Sequence, residues 1–157
     1  MKIQLLLMGK TRFPFISEGL DEYIKRLKRY TEFSIRTLPD LKNAGSWPQA
    51  KVMQEEGKSV LKALSDDDYV LLLDERGSEM GSFEFAEFIE LLHRQSWKSV
   101  VFVIGGAYGF SNAVYERANM KLSLSKMTFS HQIVSLFFIE QLYRAFTIIR
   151  GTPYHHG

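Results

Sequence analysis

Five stretches of the 157-residue chain hold groups able to do chemistry. Gly105-Gly106-Ala107-Tyr108-Gly109 would lay backbone amides open to a flat ligand, or simply supply a tight turn at positive φ. Leu73-Asp74-Glu75-Arg76-Gly77 ends an apolar run in a similar way. Ser123-Leu124-Ser125-Lys126-Met127-Thr128-Phe129-Ser130-His131-Gln132 offers hydroxyls and amides just ahead of a helix, where Ser130 can serve as the cap. Glu140 and Arg144 stand i, i+4 on a helix, a spacing that suits an ion pair. Near them in sequence, Tyr143, Phe146 and Phe137 suit packing, in the core or at a dimer interface. Tyr154-His155-His156 closes the chain with rings that a polar terminus buries poorly.

Several familiar chemistries are excluded. Gly9-Lys10-Thr11 lacks the earlier glycine of a phosphate loop, since Gln4 stands there, and the later glycines do not space as G-x-G-x-x-G. Gly-x-Ser-x-Gly is absent, which argues against a Ser-His-Asp hydrolase. There is no Cys, hence no disulfide, no thiolate zinc site and no cysteine nucleophile. Only four His occur (His93, His131, His155 and His156), with no H-E-x-x-H pair, so no metal is expected.

The elements that must position these groups follow from hydropathy. Residues 2–9 read as a strand, and Pro14 opens a helix in which Ile16, Leu20, Ile24 and Leu27 recur to about Tyr30. Phe33, Ile35 and Thr37 alternate as a short strand, and Val52 to Leu64 marks a second helix. Tyr69–Leu73 and Val100–Ile104 are continuous apolar runs, as in strands covered on both faces. Asp74 to Gly81 reads as a loop, Ser82 as the cap of a third helix, and Ser111 as the cap of a short helix through Ala118. Leu122–Leu124 is a short strand, His131–Ile149 a long last helix, and 151–157 a tail. Strands alternating with helices imply an α/β fold with a mostly parallel sheet flanked by helices. In such sheets ligands sit beyond the carboxyl ends of the strands. Loops 74–81, 105–109 and 125–132 occupy that place.

Apolar residues make up 45% and charged residues 24%, as in an ordinary globular domain, and the length suits one core. No membrane span or export signal is expected: Glu140, Gln141 and Arg144 interrupt the last apolar helix, and the N-terminus lacks a long apolar stretch with a cleavage site. The net charge of +2 hides an asymmetry. Residues 1–36 carry 8 basic and 4 acidic side chains, residues 37–116 carry 7 and 13, and residues 117–157 carry 5 and 1. Both ends can therefore build basic surface facing a polyanion.

Taken in order, Leu73–Gly77, Val103–Gly109, Leu122–Gln132, Glu140–Ala145 and Gly151-Thr152-Pro153-Tyr154-His155 resemble the bacterial ribosomal RNA large subunit methyltransferase H family over essentially the whole chain. The resemblance implies one SPOUT methyltransferase domain over 1–157, with a C-terminal trefoil knot. It implies transfer of a methyl from S-adenosylmethionine to N3 of a pseudouridine in 23S rRNA of the assembled ribosome. It also implies a cytoplasmic homodimer with the site at the subunit interface. By matching positions, Leu73, Gly105, Leu124, Ser125, Lys126, Met127, Thr128 and Phe129 would hold the cofactor. Arg144, Tyr154, His155 and His131 would serve the reaction, Arg144 as an orienting group and Tyr154–His155 as stacking and proton-handling elements. One position departs from the family: Ser135 stands where an Arg is usual. That departure keeps open a non-catalytic nucleotide-binding or ribosome-associated module on the same fold.

Overall fold

The computed structural model describes residues 1–157. In chain order the elements are β1 (Lys2–Met8), α1 (Pro14–Leu27), β2 (Glu32–Leu38), α2 (Gln49–Ala63), β3 (Asp68–Glu79), α3 (Ser82–Arg94), β4 (Ser99–Ile104), α4 (Asn112–Arg117), β5 (Met120–Ser123) and α5 (His131–Arg150). The five strands form one sheet, order β2-β1-β4-β3-β5, and every pairing is parallel.

Both sheet faces are covered, which explains the unbroken apolar runs. Successive strand side chains point to opposite faces. Ile3, Leu5, Leu7, Leu71, Val100, Phe102 and Ile104 therefore join the core shared with α1, α3 and α5. Leu6, Met8, Val70, Leu72, Val101 and Val103 join the core under α2 and α4. The 20-residue α5 is long and apolar enough to cross a bilayer by length and composition. Here its Phe138, Ile139, Leu142 and Ala145 are buried in the first core, and it packs along α1 and α3. Ser111 and Ser130 cap α4 and α5 as read from the sequence, accepting from the amides of Val114 and Gln132 at 3.4 and 3.3 Å.

Three local readings change. The segment 74–81 is not a loop throughout. Leu73 and Ser78 both face Leu122 of β5, so Asp74–Gly77 bulges out and the strand then resumes to Glu79. Its hydrogen bonds are main-chain, so its polar composition gives no hydropathy signal. The N-cap of α3 is Gly81, whose amide donates to Glu84 Oε2 at 2.9 Å, while the Ser82 hydroxyl turns to Gln141. The last strand is Met120–Ser123, starting two residues and ending one residue earlier than its hydropathy suggests, because its register is set by β3.

Candidate active site

The β3 bulge, the 105–109 turn after β4 and the 124–131 segment after β5 meet and enclose a cleft of about 350 Å3. Leu73, Gly105, Leu124, Ser125, Met127, Thr128, Phe129 and His131 all line it. Lys126 does not: its ammonium lies 3.7 Å from Glu79 and the side chain is 87% exposed. Loop 124–130 is stitched in place by short polar contacts. Ser123 Oγ donates to the Ser125 carbonyl (2.8 Å), the Met127 amide donates to Ser125 Oγ (3.0 Å), and Thr128 Oγ1 donates to Glu75 Oε2 (2.6 Å). The last contact fastens the loop to the β3 bulge.

Of the three glycines in the 105–109 turn, only Gly109 has positive φ (85°). The other two are needed for close approach. A Cβ at Gly105 would stand 2.9–3.3 Å from the Phe110 ring, and one at Gly106 would stand 2.6 Å from both carboxylate oxygens of Glu56. The cleft wall here is thus bare backbone, with main-chain donors and acceptors available to a flat heterocycle. At the opposite wall Asp74 accepts from the Arg76 amide (2.9 Å) and from the Tyr115 hydroxyl, and Arg76 Nη2 donates to Tyr115 (2.8 Å). Burial pushes the Asp74 carboxyl up, but Tyr115 and Arg76 outweigh it and hold Asp74 below its ordinary value. Asp74 is therefore an anion that fixes the bulge.

Glu56 is a feature that sequence reading missed. It lies beneath the glycine turn, with Oε1 shielded from solvent and without a hydrogen-bond partner in the protein. Burial, and then the charge of Asp40, push its carboxyl above the ordinary range. Gly57 in mid-helix was the available signal: it lets α2 press against Ser111, the cap of α4. A raised native value means that the folded state binds more protons than the unfolded chain, so stability falls as pH rises from the ordinary carboxylate range through the native value. Glu56→Gln is expected to remove that decline. Thermal melts of both proteins from pH 4.5 upward check this, and parallel melting curves would contradict it.

The remaining site residues gather elsewhere on α5. Glu140 is their hub. Its Oε1 accepts from Arg144 Nη2 (2.5 Å) and Tyr154 Oη (2.9 Å), and its Oε2 accepts from Gln141 Nε2 (3.0 Å). Arg144 Nη1 is 3.0 Å from His155 Nδ1. A guanidinium only donates, so Nδ1 accepts and the neutral ring carries its proton at Nε2. The Arg144 guanidinium lies 4.8 Å from the centre of the Tyr154 ring, which packs edge-on against Tyr143. Burial, then hydrogen bonds to Tyr23 and Glu140, drive the Tyr154 hydroxyl well above its ordinary value, which leaves it a donor rather than a base. The ion pair foreseen from spacing thus exists, but as one edge of a half-buried network that the tail completes.

The structure therefore brings Arg144, Tyr154 and His155 together and leaves His131 apart. Thirteen helical residues separate His131 from Arg144, about 20 Å along α5. Between the two ends lies a second hollow of about 540 Å3, which shares Leu122, Leu124 and Phe129 with the cleft and has Tyr23, Phe137 and Glu140 in its wall. Ser135 is 1% exposed and donates to the Gln132 carbonyl at 2.6 Å. Position 135 faces the ends of β1 and β4, beside Leu7 and Ile104, and not the surface.

Comparison with known proteins gives the family of the chain. Residues 1–155 match the family model described as predicted SPOUT methyltransferase. Ribosomal RNA large subunit methyltransferase H of Parabacteroides distasonis is 48% identical over 156 residues, 99% of each chain. The proteins of that name from Bacteroides thetaiotaomicron and Flavobacterium johnsoniae are 47% and 46% identical, again over 99% of each chain. A cleft walled by bare glycine backbone at the carboxyl edge of a parallel sheet, on a chain matched end to end, makes this protein a member of the SPOUT methyltransferase family, in its ribosomal RNA large subunit methyltransferase H branch.

Proposed function

We propose that the protein transfers a methyl group from S-adenosylmethionine to N3 of a pseudouridine in 23S rRNA of the assembled ribosome, as one cytoplasmic SPOUT domain acting in a homodimer. The observation that carries this reading is the cleft. The fit to an adenosyl group rests on its shape and donors: backbone amides and carbonyls at Gly105 and Gly106, apolar walls from Leu73, Leu124 and Phe129, and a hydroxyl-rich loop at 125–130. When bound, S-adenosylmethionine supplies a methyl already activated on a sulfonium, so the protein needs neither metal nor covalent nucleophile.

What remains for the chain is to hold the base, align it and take the N3 proton. Arg144 and Glu140 form a rigid charged pair that orients the base edge. Tyr154 supplies a hydroxyl donor and a ring face of the kind on which unpaired bases stack. Within this cluster Arg144 and Tyr154 act as hydrogen-bond donors, and Glu140 accepts from three donors. His155 is the proton-handling element: its Nδ1 is held by Arg144, and it can take up the N3 proton only when that contact is given up.

Because Arg144 lies about 20 Å along α5 from His131 in the cleft, one chain alone does not bring these two side chains together. A second copy related by a two-fold axis, with α5 antiparallel, would bring its Arg144–Tyr154–His155 end to the first copy's cleft. The exposed rings of Phe129 and Phe137, 5.3 Å apart beside the second hollow, suit such an interface.

Titration calorimetry with S-adenosylmethionine tests the cleft. Wild type is expected to bind. Gly105→Val, whose side chain runs into Phe110, is expected to bind at least about tenfold more weakly, a loss of 1.4 kcal/mol or more. Equal affinity in both would remove the cleft from the account. The reading as a non-catalytic module rests on Ser135 alone, and binding without methyl transfer would favour it.

A further inference from the structure

Two basic segments more than a hundred residues apart converge on one surface. α1 and α5 pack with their C-terminal ends together: Tyr30 stacks on Phe146 with ring centres 6.1 Å apart, and the Tyr23 and Tyr143 rings meet at 5.8 Å. Lys25, Lys28 and Arg29 from the end of α1 and Arg150 from the end of α5 are exposed there, and none takes part in an ion pair. Arg26 lies among them, its guanidinium 5.2 Å from the Tyr23 ring and 5.6 Å from the Tyr143 ring, tied to Glu22 at 3.0 Å. The same aromatic cluster continues into Tyr154.

Helix dipoles account for only part of this. Cations in a last turn are favourable, but one or two suffice, and their benefit is screened at an exposed site. Four unpaired cations at the joined ends of two helices repel one another, and a polyanion laid across them relieves that repulsion. Elsewhere β3 and α3 are net acidic, with seven acidic side chains between them against Arg76 and Arg94. Spaced cations around an aromatic cluster match an unpaired nucleic acid strand, with phosphates on the cations and bases on the rings.

We propose that the joined C-terminal ends of α1 and α5 form the phosphate-docking surface for the RNA strand that presents the target base, with Lys25, Lys28, Arg29 and Arg150 as its contacts. This rests on the rRNA reading above and extends it by naming where the RNA backbone lies. In an antiparallel dimer of the kind proposed above, this surface would border the partner's cleft, and an RNA strand gripped here would feed its base toward that cleft across the Tyr154 network.

The test is a salt titration of binding, using a protein-free stem–loop RNA and, separately, intact ribosomes. The variant Lys25→Glu/Lys28→Glu/Arg29→Glu is compared with Lys42→Glu/Lys51→Glu/Lys62→Glu, which changes net charge equally on exposed lysines elsewhere. The first variant is expected to weaken RNA binding by at least tenfold. It is expected to flatten the slope of log K against log salt by about 2, as loss of about three phosphate contacts requires. Affinity for S-adenosylmethionine should not change. Equal losses in both variants, or an unchanged slope, overturn the proposal. So does a loss seen with ribosomes but not with free RNA, which would mark a ribosomal protein as the partner. Failure of the enzymatic reading is separate: it would show as absent methyl transfer by wild type, whatever the salt slope.

Discussion

Gly77→Ala is expected to cost about 3 kcal/mol of stability and to lower Tm on the order of 10 °C for a chain of this size. A Cβ at position 77 would stand 2.6–2.8 Å from the carbonyl carbon and oxygen of Lys121 and the amide nitrogen of Leu122. These are backbone atoms of β5 and have no rotamer by which to retreat. The clash is relieved only if β3 and β5 part, which breaks the pairing of Ser78 and Glu79 with Leu122 and Ser123. That pairing also carries the contacts that hold loop 124–130, Thr128 to Glu75 and Lys126 to Glu79. Affinity for S-adenosylmethionine should therefore fall with stability. Gly45→Ala is the control, since nothing lies within 4 Å of a Cβ there. A thermal melt and a binding titration on the two variants decide the matter. Should Gly77→Ala melt with wild type, the bulge does not pack as described.

The second large effect concerns the division of the site between two chains. Gly105→Val spoils the cleft, and Tyr154→Ala removes the ring and hydroxyl that complete the Glu140–Arg144 network. Each variant alone is expected to lose methyl transfer by about a hundredfold, within the range for loss of a positioned catalytic group. Mixed and allowed to exchange subunits, they should recover activity. In a mixed dimer the intact cleft of one chain faces the intact tail of the other, and about a quarter of the wild-type rate should return if subunits assort at random. A site confined to one chain gives no recovery at all. The assay is single-turnover transfer of labelled methyl before and after mixing, with subunit exchange followed by mass.

Why some of this was legible in the sequence and some was not has a physical explanation. The buried strands showed themselves because a sheet covered on both faces needs apolar residues at every position, and Val100–Ile104 has them. The caps at Ser111 and Ser130 showed because capping is local chemistry. The segments that line the cleft showed because the ends of parallel strands are where a chain can present backbone. The resumed strand after the bulge did not show. Asp74–Glu79 is polar, and its pairing depends on the β5 main chain rather than on its own side chains. Glu56 sits in a polar run beside Glu55, and only the approach of α2 to the glycine turn distinguishes the two. The Glu140–Arg144 pair is written in helical spacing, but the return of the tail onto it is a long-range event with no local signature. The same holds for the meeting of the two basic segments, which requires the parallel packing of α1 on α5.

The central claim is that this chain moves a methyl group from S-adenosylmethionine to a uracil-type nitrogen in large-subunit rRNA. Purified protein, labelled S-adenosylmethionine and ribosomes lacking the modification test it most directly, with the methylated nucleoside located by mass spectrometry of digested rRNA. The account predicts label at a single pseudouridine, on N3, incorporated about a hundredfold more slowly when Gly105→Val replaces wild type. Label on another nucleoside, or none despite measurable cofactor binding, would contradict it.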